Sequence, residues 1–372
     1  MSSSSFFEAI EQQYALNLPF VVYSRPINSV IKCWLQQDDE LHKTETFTES
    51  GFVFAPFNLE EKSILFPKEF CSYSEINRDA LDIEIIESTQ NIPSENDKLQ
   101  HIELVSKGID KIKTKDLKKV VLSRCVTKSL QNSNPITIFK RLFNAYKNAM
   151  VYCWFHPKVG LWIGATPELL FKVEGKRLTT ISLAGTQSFK ENETVNWTAK
   201  EVEEQQIVTD YITKEITPFT KSISTSSVET IRAGNLLHLK TNITSVINDN
   251  AELKSIIEAL HPTPAVCGFP KAKAKEFILQ NERYNREYYT GFLGELNLKQ
   301  NKTRNSNRRN VENNAYSVIK TQSNFYVNLR SMQLKDTIAN IYVGGGITKD
   351  SNPELEWEET VNKTKTIASV LD

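Results

Sequence analysis

The chain has 372 residues, with 45 basic and 45 acidic side chains, a formal net charge of zero and 40% hydrophobic residues. The charge balance excludes a general attraction to nucleic acid or to an anionic membrane, and the apolar content excludes a disordered chain. Five scattered cysteines (Cys33, Cys71, Cys125, Cys153 and Cys267) without a CxxC pair exclude a disulfide framework and a structural zinc site.

The opening stretch "MSSSSFFEAIEQQYALNLPF" lacks the basic and then continuously apolar pattern of a secretory leader. No apolar run is long enough to span a bilayer, so a soluble protein of the cytoplasm is expected. Residues 1–95 mix short apolar runs such as "LPFVVYSR" and "GFVFAPF" with polar turns. "NDKLQHIELVSKGIDKIKTKDLK" has the spacing of an amphipathic helix, and "KKVVLSRCVTK" alternates as a strand. A helix is predicted over 136–146, then strands at "VYCWFHP", "GLWIGAT", "LLFKVEG" and "KRLTTISLAG". Residues 191–216 read as one long helix, stopped by Pro218. Further strands are predicted at "LLHLKTNITSVI", "TGFLGELNLK", "SNFYVNLRSMQL" and "IANIYVGGG", and a last helix starts at Pro353. Mixed helices and strands, with hairpins instead of regular βαβ alternation, predict an α+β fold on antiparallel sheets.

Residues 297–317, "NLKQNKTRNSNRRNVENNAYS", are polar, asparagine-rich and locally basic through Lys299, Lys302, Arg304, Arg308 and Arg309. A long solvated hairpin loop is the expectation. Binding of RNA through the basic stretch 299–309 is the remote alternative, and it lacks interleaved aromatic residues.

The last predicted helix begins "PELEWEETVNKTK", with Glu354, Glu356, Glu358 and Glu359 crowded into its first turns. Carboxylates are favoured near a helix N-terminus, where unpaired N–H groups and the dipole attract them. At about 100° per residue, Trp357, Val361, Thr364, Ala368 and Leu371 form an apolar stripe. Glu356, Glu359 and Lys363 form a narrow stripe beside it, and Glu358 points elsewhere. Two carboxylates three residues apart can reach one hard cation. In "NWTAKEVEEQQIVTDYITKEI", the wheel gathers Trp197, Ile207, Val208 and Tyr211 on one face, with Glu204 in its middle and Glu201 at its edge. A glutamate on an apolar face must be paired, protonated or metal-bound. A buried salt bridge and a divalent cation shared with Glu356 and Glu359 both satisfy it. No GxxxxGK[ST] or GxGxxG loop is present. Single candidates are Lys119 on a strand beside Val121 and Ser123, Glu168 in "GATPELL", the proline-rich "HPTPAVCGFPK", and Gly344, Gly345 and Gly346 as backbone donors.

Taken together, "KVVLSR", "GATPELLF", "ISLAGT", "KEVEEQ", "HLKTNI", "LHPTPAVCGFP", "NREYYTGFLGE", "VNLRS", "GGGIT" and "PELEWEETVNK" resemble the chorismate-utilising enzyme family. That family includes anthranilate synthase component I, aminodeoxychorismate synthase, isochorismate synthase and salicylate synthase. The likeness covers about residues 100–372. It implies one large α+β domain over 1–372, a sandwich of two antiparallel sheets flanked by helices, with residues 1–100 variable and 101–372 the catalytic core.

The resemblance also implies roles. Glu204, Glu356 and Glu359, with Glu201 nearby, match the carboxylates of a Mg²⁺ site that binds the ring carboxylate of chorismate. Gly185, Thr186 and Lys363 would contact the same end. Arg330 and Tyr289 would hold the enolpyruvyl carboxylate, helped by the Gly344 N–H, and His238 would lie near the ring. Lys119 resembles a lysine that activates water, and Glu168 the acid that protonates the leaving C4 hydroxyl. Amine-transferring members lack that lysine and draw ammonia from a glutaminase subunit, so no such partner is expected. Lys119 and the "RE" of "NREYY" point within the family to isochorismate synthesis, with salicylate synthesis as the neighbouring alternative. Gln205 stands where relatives often carry histidine. The implied protein is a monomer acting on chorismate, with its product entering menaquinone or catechol siderophore synthesis.

Overall fold

A computed structural model describes residues 2–28, 30–77, 94–189, 195–233, 236–302 and 318–372. Helix α1 (Ser3–Ala15) precedes strands β1 (Phe20–Ser24), β2 (Val30–Gln36), β3 (Lys43–Thr44), β4 (Gly51–Ala55), β5 (Ser63–Pro67) and β6 (Cys71–Asn77). Helix α2 (Glu95–Lys113) leads into β7 (Lys119–Ser129), helix α3 (Pro135–Ala145), β8 (Met150–His156), β9 (Gly160–Thr166), β10 (Leu169–Glu174) and β11 (Arg177–Ser188). After α4 (Ala199–Ile216) come β12 (Thr220–Thr225), β13 (Glu229–Ala233) and β14 (Leu236–Ile247). Helix α5 (Leu253–Leu260), β15 (Gly268–Phe269) and α6 (Lys271–Asn281) precede β16 (Phe292–Lys302), β17 (Val318–Val327), β18 (Ser331–Lys335), β19 (Ile338–Ile347) and α7 (Pro353–Ala368).

The strands form two antiparallel sheets. One has nine strands in the order β15-β7-β19-β18-β9-β8-β1-β2-β6. The other has ten, in the order β12-β14-β11-β10-β17-β16-β4-β5-β3, with β13 pairing against β14. The N-terminal strands enter both sheets: β1, β2 and β6 the first, β3, β4 and β5 the second. The anticipated α+β sandwich is thus the observed architecture. An aromatic layer joins the sheets, with Tyr23, Trp34, Tyr152, Trp154 and Trp162 of the first meeting Phe52, Phe54, Phe66 and Tyr326 of the second. Phe66 stacks on Trp154 with ring centres 5.3 Å apart. On the far face of the first sheet, Phe6 and Phe7 of α1 and Ile138, Phe139 and Leu142 of α3 bury its apolar side. On the far face of the second, Val208, Tyr211 and Ile212 of α4 and Ile256 and Ile257 of α5 do the same. Strands covered on both faces need no polar side. This is why "GFVFA" and "MVYCWFH" are buried throughout and, His156 apart, carry no charged or strongly polar alternation.

Several predicted boundaries move. The helix expected over 191–216 starts at Ala199, because Thr198 and Glu201 close a capping box there; residues 191–194 lie outside the described residues. Trp197 therefore precedes the helix, and Ile207 is 44% exposed. The buried face of α4 runs through Gln205, Val208, Thr209, Tyr211 and Ile212, so Glu204 flanks that face instead of sitting in its centre. The stretch 323–334 is two strands, with Arg330 at a left-handed φ of 47° in the turn between them. Helices α1, α5 and α6 are additional to the predicted elements. Of the expected loop 297–317, residues up to Lys302 belong to β16, and 303–317 lie outside the described residues.

One buried carboxylate ties the two sheets together. Glu295 of β16 is 1% exposed. It accepts hydrogen bonds from Tyr23 Oη and Lys32 Nζ, both at 2.8 Å, from Asn324 Nδ2 at 3.0 Å and from Arg25 Nη1 at 3.3 Å. Burial alone would raise its pKa, but Arg25 and Lys32 outweigh it and hold the carboxyl below its usual range. Replacing it leaves two cations without their shared partner. Glu295→Ala should lower the unfolding free energy by roughly 3–5 kcal/mol in urea titrations; a change below about 1 kcal/mol would show that the network is dispensable.

Candidate active site

The site is built where β7 begins. Lys119 is its first residue, clamped between two strands: Phe269 of β15 pairs with it on one side, and Ile347 of β19 pairs with Val120 on the other. The "HPTPAVCGFPK" segment anticipated as a rigid wall supplies β15. Lys118 N donates to Phe269 O and Val121 N to Cys267 O, each at 2.8 Å. Gly268 has a φ of 132°, and a Cβ there would lie 2.3 Å from Lys119 O, so only glycine permits this approach.

The glycines of β19 make room for charged side chains. Gly344, Gly345 and Gly346 pair with Ser123, Leu122 and Val121. Successive strand residues face opposite sides of a sheet. On one side, a Cβ at Gly346 would lie 2.9 Å from Lys119 Cε and 3.5 Å from its Nζ. On the other, a Cβ at Gly345 would lie 3.3 Å from Glu356 Oε2 and 3.9 Å from Glu359 Oε1. Lys363 Nζ is 2.6 Å from Glu359 Oε1 and donates to Gly344 O at 2.9 Å, which fastens α7 to β19. Glu358 is exposed, as its place on the wheel required. The buried face of α7 is Trp357, Thr360, Thr364 and Ile367.

Glu168 sits between β9 and β10. Its N–H donates to Thr166 Oγ1 at 3.3 Å and its carbonyl accepts from Val327 N at 2.9 Å. Burial raises its pKa to about 7, against the opposing pull of Lys119, Lys363 and Arg330. The Lys119 ammonium is shifted the other way. Burial lowers its pKa and Lys363 adds to that, while Glu204, Glu168 and Glu359 pull it back up. Each of these groups therefore lies within electrostatic reach of Lys119. Arg330 is lowered by burial, an effect that Tyr146 and Glu168 offset. Tyr289 is 3% exposed, stacks on Tyr342 with ring centres 5.3 Å apart and feels the charge of Glu168.

Gly185 opens a bulge in the β11–β14 ladder, between the Ala184 and Thr186 pairs, at a φ of 69°. Its carbonyl is 3.1 Å from His238 Nδ1. A carbonyl only accepts, so the proton is on Nδ1. Burial lowers the pKa of His238, the Gly185 carbonyl opposes that, and Arg330 and Lys363 reinforce it. The backbone of Thr186 pairs with that of His238. Glu201 packs against Gly185, but its Oε2 accepts from Thr198 N and Gln187 Nε2, both at 2.8 Å. One oxygen of Glu201 thus closes the helix cap. Gln205 is 1% exposed and donates to Ser182 O and Thr241 Oγ1, each at 3.1 Å, so it anchors α4 to the sheet beside Glu204.

The carboxylates suit a hard cation. Glu356 and Glu359 converge over a residue whose missing Cβ leaves the space between them, and the donors are all oxygen, as Mg²⁺ requires. Among the described residues, the one group of three metal-ligating side chains with donor atoms all within 4.8 Å is Asp38, Glu40 and His42, distant in the fold; Glu204, Glu356 and Glu359 do not all fall within that distance. Glu282, which with Arg286 grips β7 through Ser123 and Val121, was not singled out by sequence reasoning, and Ser123 and Arg286 were noted only as a strand neighbour of Lys119 and as part of the "RE" of "NREYY". The spacing of four between Glu282 and Arg286 in "NERYNREYY" was the available signal.

A methyl group in the cradle tests it. Gly345→Ala should fold and weaken Mg²⁺ binding by about ten-fold or more in calorimetric titration, the usual cost of disturbing groups around a metal. Glu358→Ala should leave affinity unchanged. Equal affinity in wild type and Gly345→Ala would remove the cation from this position.

A chorismate binding enzyme profile matches residues 67–303, and a second chorismate binding enzyme profile matches residues 316–369. The isochorismate synthase MenF of Pasteurella multocida is 29% identical over 297 residues, which are 75% of this chain and 63% of that protein. The chain therefore matches just under two thirds of that relative's length. Its structure superposes on that of the menaquinone-specific isochorismate synthase MenF from Escherichia coli with a TM-score of 0.74 at 19% identity, covering 95% of this chain and 89% of that one. Anthranilate synthase component I from Streptococcus pneumoniae superposes with a TM-score of 0.66 at 17% identity, covering 94% and 90%. Those superpositions establish a shared fold, and the profile match over most of the chain establishes descent: this chain belongs to the chorismate binding enzyme family.

Proposed function

We propose that the protein is an isochorismate synthase, which converts chorismate reversibly to isochorismate by adding water at C2 and expelling the C4 hydroxyl. The observation that carries this reading is Lys119 and Glu168 within charge range of each other, with their pKa values shifted in opposite directions. Burial favours an uncharged amine and an uncharged acid, which are a ready base and a ready proton donor. Neutral Lys119 takes a proton from water as its oxygen bonds to C2. The ring double bonds shift toward C4, and the C4 hydroxyl leaves as water with the proton from Glu168. One water enters and one departs, so the reaction runs in both directions.

The remaining groups hold the substrate. Arg330 and Tyr289, both within charge range of Glu168, would bind the enolpyruvyl carboxylate, helped by the Gly344 N–H. Gly185, Thr186 and Lys363 would meet the ring carboxylate, and His238 would lie near the ring. Glu204, Glu356 and Glu359 would hold Mg²⁺, with Glu201 at the margin. That ion supplies charge neutralisation and polarisation of the ring carboxylate. Residues 1–372 act as one catalytic unit, working as a monomer without a glutaminase subunit. The setting is the cytoplasm, and the product feeds menaquinone or a catechol siderophore. Within the described residues, no helix is long and apolar enough to cross a membrane.

Lys119→Ala should bind chorismate and lose about 10²–10⁴-fold or more in turnover, as should Glu168→Gln. Chromatography of reactions begun from chorismate and from isochorismate reads both directions. Stoichiometric pyruvate and salicylate from the wild type would reassign the protein to salicylate synthesis, and an ammonia-dependent product would overturn the role of Lys119. The pH dependence follows from the same shifts. Glu168 must carry its proton, so turnover should fall as pH rises through about 7. Lys119 must be neutral, so turnover should also fall at lower pH, below its depressed pKa. A flat profile from about pH 6 to 9 would contradict both assignments.

A further inference from the structure

Farther along β7 from Lys119 lies a buried ion pair that the reaction does not use. Glu282 and Arg286 are 1% and 2% exposed and meet through two contacts, Nε to Oε2 at 2.7 Å and Nη2 to Oε1 at 2.6 Å. Neither group is content with the other alone. Glu282 Oε1 also accepts from Ser123 N and Ser123 Oγ, both at 2.8 Å. Ser123 Oγ is 2.7 Å from Tyr284 Oη. Arg286 donates to Val121 O at 2.8 Å, Val266 O at 2.9 Å and Thr290 Oγ1 at 3.2 Å.

These partners are not scattered. Val121 and Ser123 stand two and four residues along β7 from Lys119, on its face of the strand. Val266 precedes Cys267, whose carbonyl takes the Val121 N–H in the segment that pairs with Lys119. Tyr289 N donates to Arg286 O at 2.8 Å, and the Arg286 guanidinium lies 5.9 Å from the Tyr289 ring. One ion pair therefore grips the strand bearing Lys119, the segment beside it and the segment bearing Tyr289. A core that needed only stability would be served as well by apolar side chains, since a buried ion pair gains little over them. A bidentate pair instead fixes direction and distance.

The geometry points to Glu282 and Arg286, with Ser123, as positioning residues that hold Lys119 in register with the substrate carbon it serves. They act through the β7 backbone and touch no substrate. The inference rests on the reading of Lys119 as the base for water. The structural alternative, that the pair only stabilises the fold, predicts a loss of stability without a selective loss of turnover.

The test is a double-mutant cycle on the full chain with Mg²⁺ and chorismate. Glu282→Gln keeps the shape and removes the charge. It should lower kcat by roughly ten-fold or more, the scale of a small misplacement of a reacting group, with KM for chorismate within about two-fold. Ser123→Ala removes one hydroxyl and leaves the ion pair, so it serves if Glu282→Gln does not fold, and its kcat should fall by at least about three-fold. In the Lys119→Ala background either change should cost nothing further, because the group being positioned is gone. Unchanged kcat in Ser123→Ala, a loss confined to KM, or an equal fold-loss with and without Lys119 would overturn the inference. Full turnover in Lys119→Ala alone would instead overturn the reading of the base.

Discussion

Ten consecutive residue pairs hold β19 against β7, from Ile338 opposite Ser129 to Ile347 opposite Val120. The last of these pairs decide the site. Three adjacent glycines there strip the strand of side chains, so charged groups can approach from both sides. Lys119 lies against Gly346 on one side, and Glu356 and Glu359 against Gly345 on the other. Lys363 then ties the carboxylate-bearing helix to the strand through the Gly344 carbonyl. A Cβ at 346 would displace the Lys119 side chain, and one at 345 would press on Glu356. The pairing with β15 completes the clamp, since Gly268 approaches the Lys119 carbonyl more closely than a Cβ would allow. The position of the proposed base is thus a property of three backbones and not of its own flexible side chain.

Charge then follows from burial. Isolated buried ions are costly, and the fold avoids that cost by two routes. Glu282 with Arg286, and Glu295 with Arg25 and Lys32, each have an oppositely charged partner at close range and further hydrogen bonds. Lys119 and Glu168 have weaker compensation and move toward their neutral forms instead. The salt-bridged pairs hold the framework, and Lys119 and Glu168, shifted toward their uncharged forms, are left to exchange protons. That division of roles is what the proposed addition and expulsion of water require, because the same two groups serve the reaction in reverse with their protonation exchanged.

Much of this was legible in the chain because it rests on local pattern. Glu358 faces solvent and Glu356 is half-buried against Gly345, as a 3.6-residue period demands, with the more exposed Glu359 at the rim of the same stripe, and the motif set marks the family before any coordinate is known. The helical wheel of α4 misled for a physical reason. Its buried face is anchored by Gln205 and Thr209, polar residues whose hydrogen bonds to Ser182 are invisible to a count of apolar positions, so the exposed Ile207 was drawn into the stripe. The capping box at Thr198 and Glu201 was readable in principle and sets the start of the helix. Of the partners of Arg286, Glu282 lies at a readable spacing of four, but the carbonyls of Val121 and Val266 could not be read, because no side-chain pattern reports them. The bulge at Gly185 is similar, because what it does locally is bring a carbonyl to 3.1 Å from His238 Nδ1.

The most direct test of water addition by this site is to run the reaction on chorismate in ¹⁸O-enriched water and locate the label in isochorismate by mass spectrometry. Addition through Lys119 predicts one ¹⁸O at the C2 hydroxyl in the wild type, with incorporation slowed in step with turnover in Lys119→Ala. Isochorismate formed without label would mean that the hydroxyl migrates within the substrate, and would contradict the role of Lys119 as the base that activates water.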